Sequence, residues 1–143
     1  MREDVYLMRL AEGPFERIKS GQKKMELRLN DSKRRNLDID DYIIFKKMPE
    51  EKEEIAVKVR SLHKYRSFKD LFEELSDEEF GIATNLSVNE AVERMREFYS
   101  EEDEKTYGVL GIGIEICDLE RAHFRIDQIN EAQIEHYFPD GMK

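Results

Sequence analysis

Paired cysteines, clustered histidines and long apolar runs are what this sequence lacks, and each lack closes off a class of function. The lone Cys117 has no internal disulfide partner and reads as a small core residue of a reduced, intracellular protein. His63, His123 and His136 stand without metal-ligand spacing, and no dense carboxylate cluster accompanies them, so neither a metal nor a cofactor is expected. The longest apolar stretch, Tyr107 to Ile116, is interrupted by three glycines and falls far short of the roughly 20 residues a bilayer crossing needs. With no secretory apolar region either, the chain is expected to be soluble and cytoplasmic, with no membrane partner. Internal repeats and low-complexity segments are also missing.

What is present is charge, unevenly placed. The 143 residues suit one domain, with a core at about 4–117 and a C-terminal extension over 118–143. The net charge of −9 argues against broad nucleic-acid binding, which depends on Lys and Arg displacing counterions from phosphates. Residues 17–35 run the other way. Arg17, Lys19, Lys23, Lys24, Arg28, Lys33, Arg34 and Arg35 face only Glu26 and Asp31 there, while everything after residue 35 is strongly acidic. Such a division restricts anion binding to one patch and favours a small or single-stranded ligand over long duplex.

Periodicity supplies the elements. Val5–Leu10 reads as a first strand, and Phe15 with Ile18 as the stripe of a short helix opened by Gly13-Pro14 and stopped by Gly21 in a left-handed C-cap. That stop releases the chain into a strand over Lys24–Leu29 and fixes Lys23 at the junction. After a polar loop from Asn30, Tyr42–Phe45 forms a third strand, and Ile55, Val57 and Val59 alternate with Ala56, Lys58 and Arg60 in a fourth. Ser67 caps a helix with Phe68, Leu71, Phe72 and Leu75 on its core face. Ser87 and Glu90 form a capping box for another helix, whose stripe of Val88, Ala91, Val92, Met95 and Phe98 ends near Tyr99. Ser100 to Glu104 reads as a solvated acidic turn. Tyr107 to Ile116 is the last core strand, its Gly111 and Gly113 on one face fitting a close approach or, the preferred reading, tight barrel curvature. Phe124 and Ile126 suit one more strand, and Ile129 to Phe138 suits a helix.

The candidate site lies at the second strand. Alternation puts Met25, Leu27 and Leu29 on a buried face and displays Lys24, Glu26 and Arg28 on the other, with Lys23 at the entrance. Arg28 offers a planar fork, Lys23 a mobile point charge, and Glu26 an acceptor for an exocyclic amine or a partner for Arg28. The same row also fits a solvated strand face, whose ion pairs are worth at most about 1 kcal/mol each. Lys33, Arg34 and Arg35 are candidate phosphate contacts or simply a charged loop. Tyr65 and Tyr107 offer rings for base stacking, or sit in a barrel wall with their hydroxyls near the surface.

The order Phe15-x-x-Ile18-x-x-Gly21-x-Lys23-x-x-Glu26-x-Arg28, then Asp41 ahead of the third strand, Tyr65-x-x-Phe68 and Tyr107-Gly108-Val109, resembles an ASCH domain of the PUA-like group. The resemblance implies an α+β fold: a small β-barrel of about five or six strands with two to three packed helices. It also implies a cleft lined by Lys23, Glu26 and Arg28 that binds RNA or a nucleotide. One branch of the family resembles an N4-acetylcytidine amidohydrolase using a lysine, a threonine three positions on, and a glutamate before the last core helix. Lys23 matches the lysine, but Glu26 stands at the threonine, and Asp77, Glu78, Glu79, Thr84 and Asn85 compete for the glutamate. A carboxylate cannot replace the hydroxyl nucleophile without a different mechanism. A hydrolase of a modified nucleoside or of RNA, with Lys23 and Glu26 as an acid–base pair, therefore stands as the alternative, and a protein-interaction module as a second one.

Overall fold

The computed structural model describes residues 4–75 and 86–127. Five strands form one curled half-barrel sheet: β1 (Val5–Leu10), β2 (Met25–Leu29), β3 (Tyr42–Lys47), β4 (Glu54–Tyr65) and β5 (Val109–Cys117), in the order β1-β3-β4-β5-β2. β1 runs parallel to β3, and every other pairing is antiparallel. Five helices among the described residues pack on it: α1 (Glu12–Lys19), α2 (Phe68–Glu74), α3 (Val88–Met95), α4 (Glu101–Tyr107) and α5 (Leu119–Asp127). The expected α+β fold is present, with more helices than the two or three foreseen.

Two apolar clusters hold the sheet. One joins β1, β3, β5 and the first half of β4 to Phe15 and Ile18 of α1 and Ala122 of α5. The other places Met25, Leu27 and Leu29 of β2 against Phe68, Leu71 and Phe72 of α2 and Ala91 of α3. Phe68 is fully buried and stacks on both Phe72 and Tyr99, at centroid distances of 6.4 and 5.7 Å. The caps act as their chemistry dictates: Ser67 Oγ accepts the Asp70 N–H, and Ser87 and Glu90 close a reciprocal capping box. Asp41, at the foot of β3, is fully buried, and its carboxylate accepts the N–H groups of Asp4 and Asp38. Its place in the sequence pattern is thus structural.

Several expectations are corrected. β4 continues five residues past Arg60 to Tyr65, with a register shift between Val59 and Ser61 that bends it. Gly113 sits opposite that bend, where a Cβ would come within 1.9 Å of Ser61 Oγ, so close approach rather than curvature alone demands glycine. α3 ends at Met95, and Phe98, assigned to its buried stripe, is 66% exposed. The supposed acidic turn is helix α4, capped by Ser100, and its Glu104 is buried, not solvated. Tyr107 is the last residue of that helix, and β5 opens at Val109. Phe124 and Ile126 lie in α5, not a strand, because burial falls on Ala122 and Ile126, four residues apart, while Phe124 is 63% exposed. Ile129 to Phe138, His136, and Asp77, Glu78, Glu79, Thr84 and Asn85 lie outside the described residues.

Candidate functional site

β1 and β2 are the two edges of the sheet. No strand ladder joins them among the described residues; instead a side chain crosses the seam, Arg28 Nη2 of β2 donating to the Arg9 carbonyl of β1 at 2.9 Å. A cleft of about 410 Å³ opens along this seam. Its walls are apolar, from Leu10, Pro14, Leu27, Phe72 and Met95, with Phe98 and Tyr99 among its lining.

Local structure places the charged groups. α1 ends at Lys19, and Gly21 takes φ 84°, turning the chain so that the Lys23 N–H reaches the Arg17 carbonyl at 2.9 Å. Lys23 Nζ then donates to Glu26 Oε1 at 2.9 Å, and Arg28 Nε donates to Glu26 Oε2 at 2.8 Å. The alternation of β2 is real, but the charged row is not displayed to water as expected: Glu26 is 4% and Arg28 9% exposed, and Lys24 alone stays outside. The edge position explains this. Met25, Leu27 and Leu29 face the α2–α3 layer, while the opposite face of β2 is roofed across the seam by β1 and the start of α1. Burial pushes the Glu26 carboxyl pKa up, but the adjacent Lys23 and Arg28 charges, with their hydrogen bonds, outweigh it and hold the group at about 2. Glu26 is therefore ionised at any physiological pH.

Further cations rim the cleft. Arg9, Arg17, Lys23, Arg28 and Arg94 line it against Glu26 and Glu97, a positive surplus in an acidic chain. Arg17 Nε is buried without a hydrogen-bond partner, and Arg94 makes no salt bridge among the described residues. Chemically, the site offers donors around one fixed acceptor. Lys23 has two N–H bonds beyond the one given to Glu26, and each Glu26 oxygen keeps a lone pair for a ligand donor.

The family profile of the ASCH domain matches residues 8–118. The chain belongs to the ASCH domain family. A search of the curated proteins finds no match. Among solved structures, this ASCH domain is similar to the crystal structure of the hypothetical protein PH0355, at 40% identity over 79% of this chain and 99% of that one, with a TM-score of 0.68. It is also similar to the solution structure of protein PF0455 from Pyrococcus furiosus, at 36% identity over 80% and 98% of the two chains, TM-score 0.63. A mutant of ZmASCH from Zymomonas mobilis shares the fold at 13% identity over 90% and 83%, TM-score 0.56.

The candidate residues do not all converge. Lys23, Glu26 and Arg28 meet in the seam cleft. Tyr65 and Tyr107 line a separate, open groove with Lys64, Arg66 and Lys105, at the opposite end of β2 from Lys23. Lys33, Arg34 and Arg35 lie outside the cleft; Arg34 is 7% exposed and paired with Asp31 at 3.1 Å, whereas Lys33 and Arg35 are on the surface. Sequence reasoning missed Arg9, Arg94 and Phe98 and counted Arg17 only as charge. Arg9 carried a signal, being the one charged side chain within an otherwise apolar first strand. No helix among the described residues is long and apolar enough to cross a membrane. No group of three or more His, Cys, Asp or Glu residues among them is placed to hold a metal ion.

Proposed function

We propose that this ASCH domain binds single-stranded RNA or a nucleotide in the Lys23–Glu26–Arg28 cleft. One observation carries the reading: five cations surround an apolar-walled cleft of about 410 Å³ in a chain of net charge −9. The volume suits a small ligand, and pockets of this kind combine apolar walls with a few fixed polar groups. Arg17 and Arg94 are placed for phosphate oxygens, Lys23 and Arg28 for base or phosphate acceptors, and Glu26 for an amine donor. Phe98 exposes its ring at the same cleft, where a base can stack on it. Because these five cations line a cleft and not an open face, a flexible single strand fits them better than a rigid duplex.

Binding is preferred to hydrolysis because of Glu26. A general base works best with a pKa near the operating pH, and a carboxyl held at about 2 by two cations is a weak one. The test is fluorescence polarisation with short single-stranded RNA at two salt concentrations, beside incubation with N4-acetylcytidine followed by chromatography. Binding should weaken with salt and fall in Lys23→Ala, in which Glu26 keeps its bond from Arg28 and circular dichroism checks that the fold is retained. Release of cytidine, abolished in Glu26→Gln, would replace the binding reading with the enzymatic one.

A further inference from the structure

Beyond the seam cleft, on the far side of the Lys23–Lys24 dipeptide, lies a second and wider groove of about 750 Å³. Lys23 borders both, so the two depressions meet at a ridge one or two residues wide. The ridge is rigid: the Lys23 N–H is held by the Arg17 carbonyl at 2.9 Å, and the Lys24 carbonyl accepts the Ile114 N–H at 3.0 Å. The two side chains divide between the depressions. Lys23 turns its ammonium to Glu26 in the cleft, while Lys24, exposed and without a salt bridge among the described residues, borders only the second groove.

The second groove is itself shaped. Gly113 leaves room for Ser61 Oγ, which meets His63 Nε2 at 3.0 Å, and this pair lies beside Leu75 and the half-exposed Ile116. Arg60 there is engaged by Glu115 and Asp40, at 2.8 and 2.9 Å. Lys24 is thus the groove's uncommitted cation, standing where a chain leaving the cleft would cross.

We propose that the ligand is a strand and not a lone nucleotide: a phosphodiester crosses the Lys23–Lys24 ridge, with one nucleoside in the seam cleft and the next in the groove beside His63 and Ile116. The inference rests on the nucleic-acid reading of the cleft and adds its minimum length, two nucleotides. Linking the second nucleoside to the first makes its binding intramolecular, so affinity rises without any change in the cleft.

Isothermal titration with mono-, di-, tri- and hexaribonucleotides of each base tests this. Affinity should rise roughly tenfold or more from mono- to dinucleotide for at least one base. Lys24→Ala should erase that step, leave the mononucleotide affinity unchanged, and lower the salt slope for oligomers by about 0.7, the value for one phosphate contact on a single strand. Lys24 is exposed, so the variant's melting temperature should match the parent's. Equal affinity for mononucleotide and hexamer, a length step that survives Lys24→Ala, or equal weakening of both ligands overturns the two-groove strand while the cleft reading stands. Failure of every ligand to bind the unaltered protein overturns the cleft reading, and the strand with it.

Discussion

Glu26 and Glu104 are two buried carboxylates that each grip an arginine, yet only one of them opens onto a cleft. Glu104 accepts Arg96 Nη2 on one oxygen and the Phe68 N–H on the other, both at 2.6 Å. It thereby ties α4 to the segment after α3 and to the first N–H of α2, and it borders none of the depressions described above. Glu26 has a similar inventory, two donors on two oxygens, but its donors are side chains at the floor of a cavity with further cations around it. Burial and ion pairing therefore do not mark a site by themselves. A concave opening and a surplus of like charge separate the cleft-lining carboxylate from the one that only holds helices together.

Breaking each network should show the difference. Glu26→Ala leaves Lys23 and Arg28, both largely buried, without their carboxylate, and breaking a buried pair this way costs about 3–5 kcal/mol. Chemical denaturation should report that loss, and RNA binding should fall even in the fraction that remains folded. If the folded variant binds as tightly as the parent, the cleft does not depend on the network.

Acid should reproduce part of the effect without mutation. An unfolded glutamate titrates near 4.5, while Glu26 in the folded protein is held at about 2. The unfolded state therefore takes up the proton first as pH falls. The stabilisation is complete above about pH 4.5 and is lost as pH drops toward 2, on the order of 3 kcal/mol in total. Urea unfolding at pH 5, 4, 3 and 2 should show a steeper acid decline in the parent than in Glu26→Gln. Identical declines would assign the acid sensitivity to other carboxylates.

Glu104→Gln should cost less, about 1.5–3 kcal/mol, because the amide keeps one acceptor for either Arg96 or the Phe68 N–H and loses the charge assistance. The sharper expectation is that RNA affinity of the folded protein stays unchanged. A loss of affinity equal to that in Glu26→Ala would dissolve the distinction between the two carboxylates.

The same pair shows what the sequence makes legible. Ser67, and Ser87 with Glu90, announced α2 and α3 because capping is a local contract among neighbours. Gly21 placed Lys23 for the same reason, and the two faces of β2 followed from its alternation. α4 was invisible as a helix because Glu101–Tyr107 has no apolar stripe; Ser100 caps it, and Glu104 finds its partners 8 and 36 residues away. The burial of Glu26 and Arg28 was likewise hidden, since alternation predicts two faces but not that a second strand edge will roof the polar one. The rest of the cleft comes from β1, α1 and the α3 region, brought together only when the sheet curls.

Phe98 gives the smallest expected effect on stability and the finest test of the cleft. Its ring is 66% exposed and leans on Tyr99 at a centroid distance of 6.5 Å and an interplanar angle of 53°, so little packing is lost on truncation. Phe98→Ala should change stability by no more than about 0.5 kcal/mol, as surface substitutions usually do. If the ring stacks a base, RNA binding should weaken by about 1–3 kcal/mol with the salt slope unaltered, because a stacking contact releases no counterions. Lys23→Ala should do the reverse and flatten the slope. Two substitutions in one cleft that separate stacking from charge in this way would show that it receives both parts of a nucleotide; an unchanged affinity in Phe98→Ala would leave recognition to the charged and hydrogen-bonding groups of the cleft.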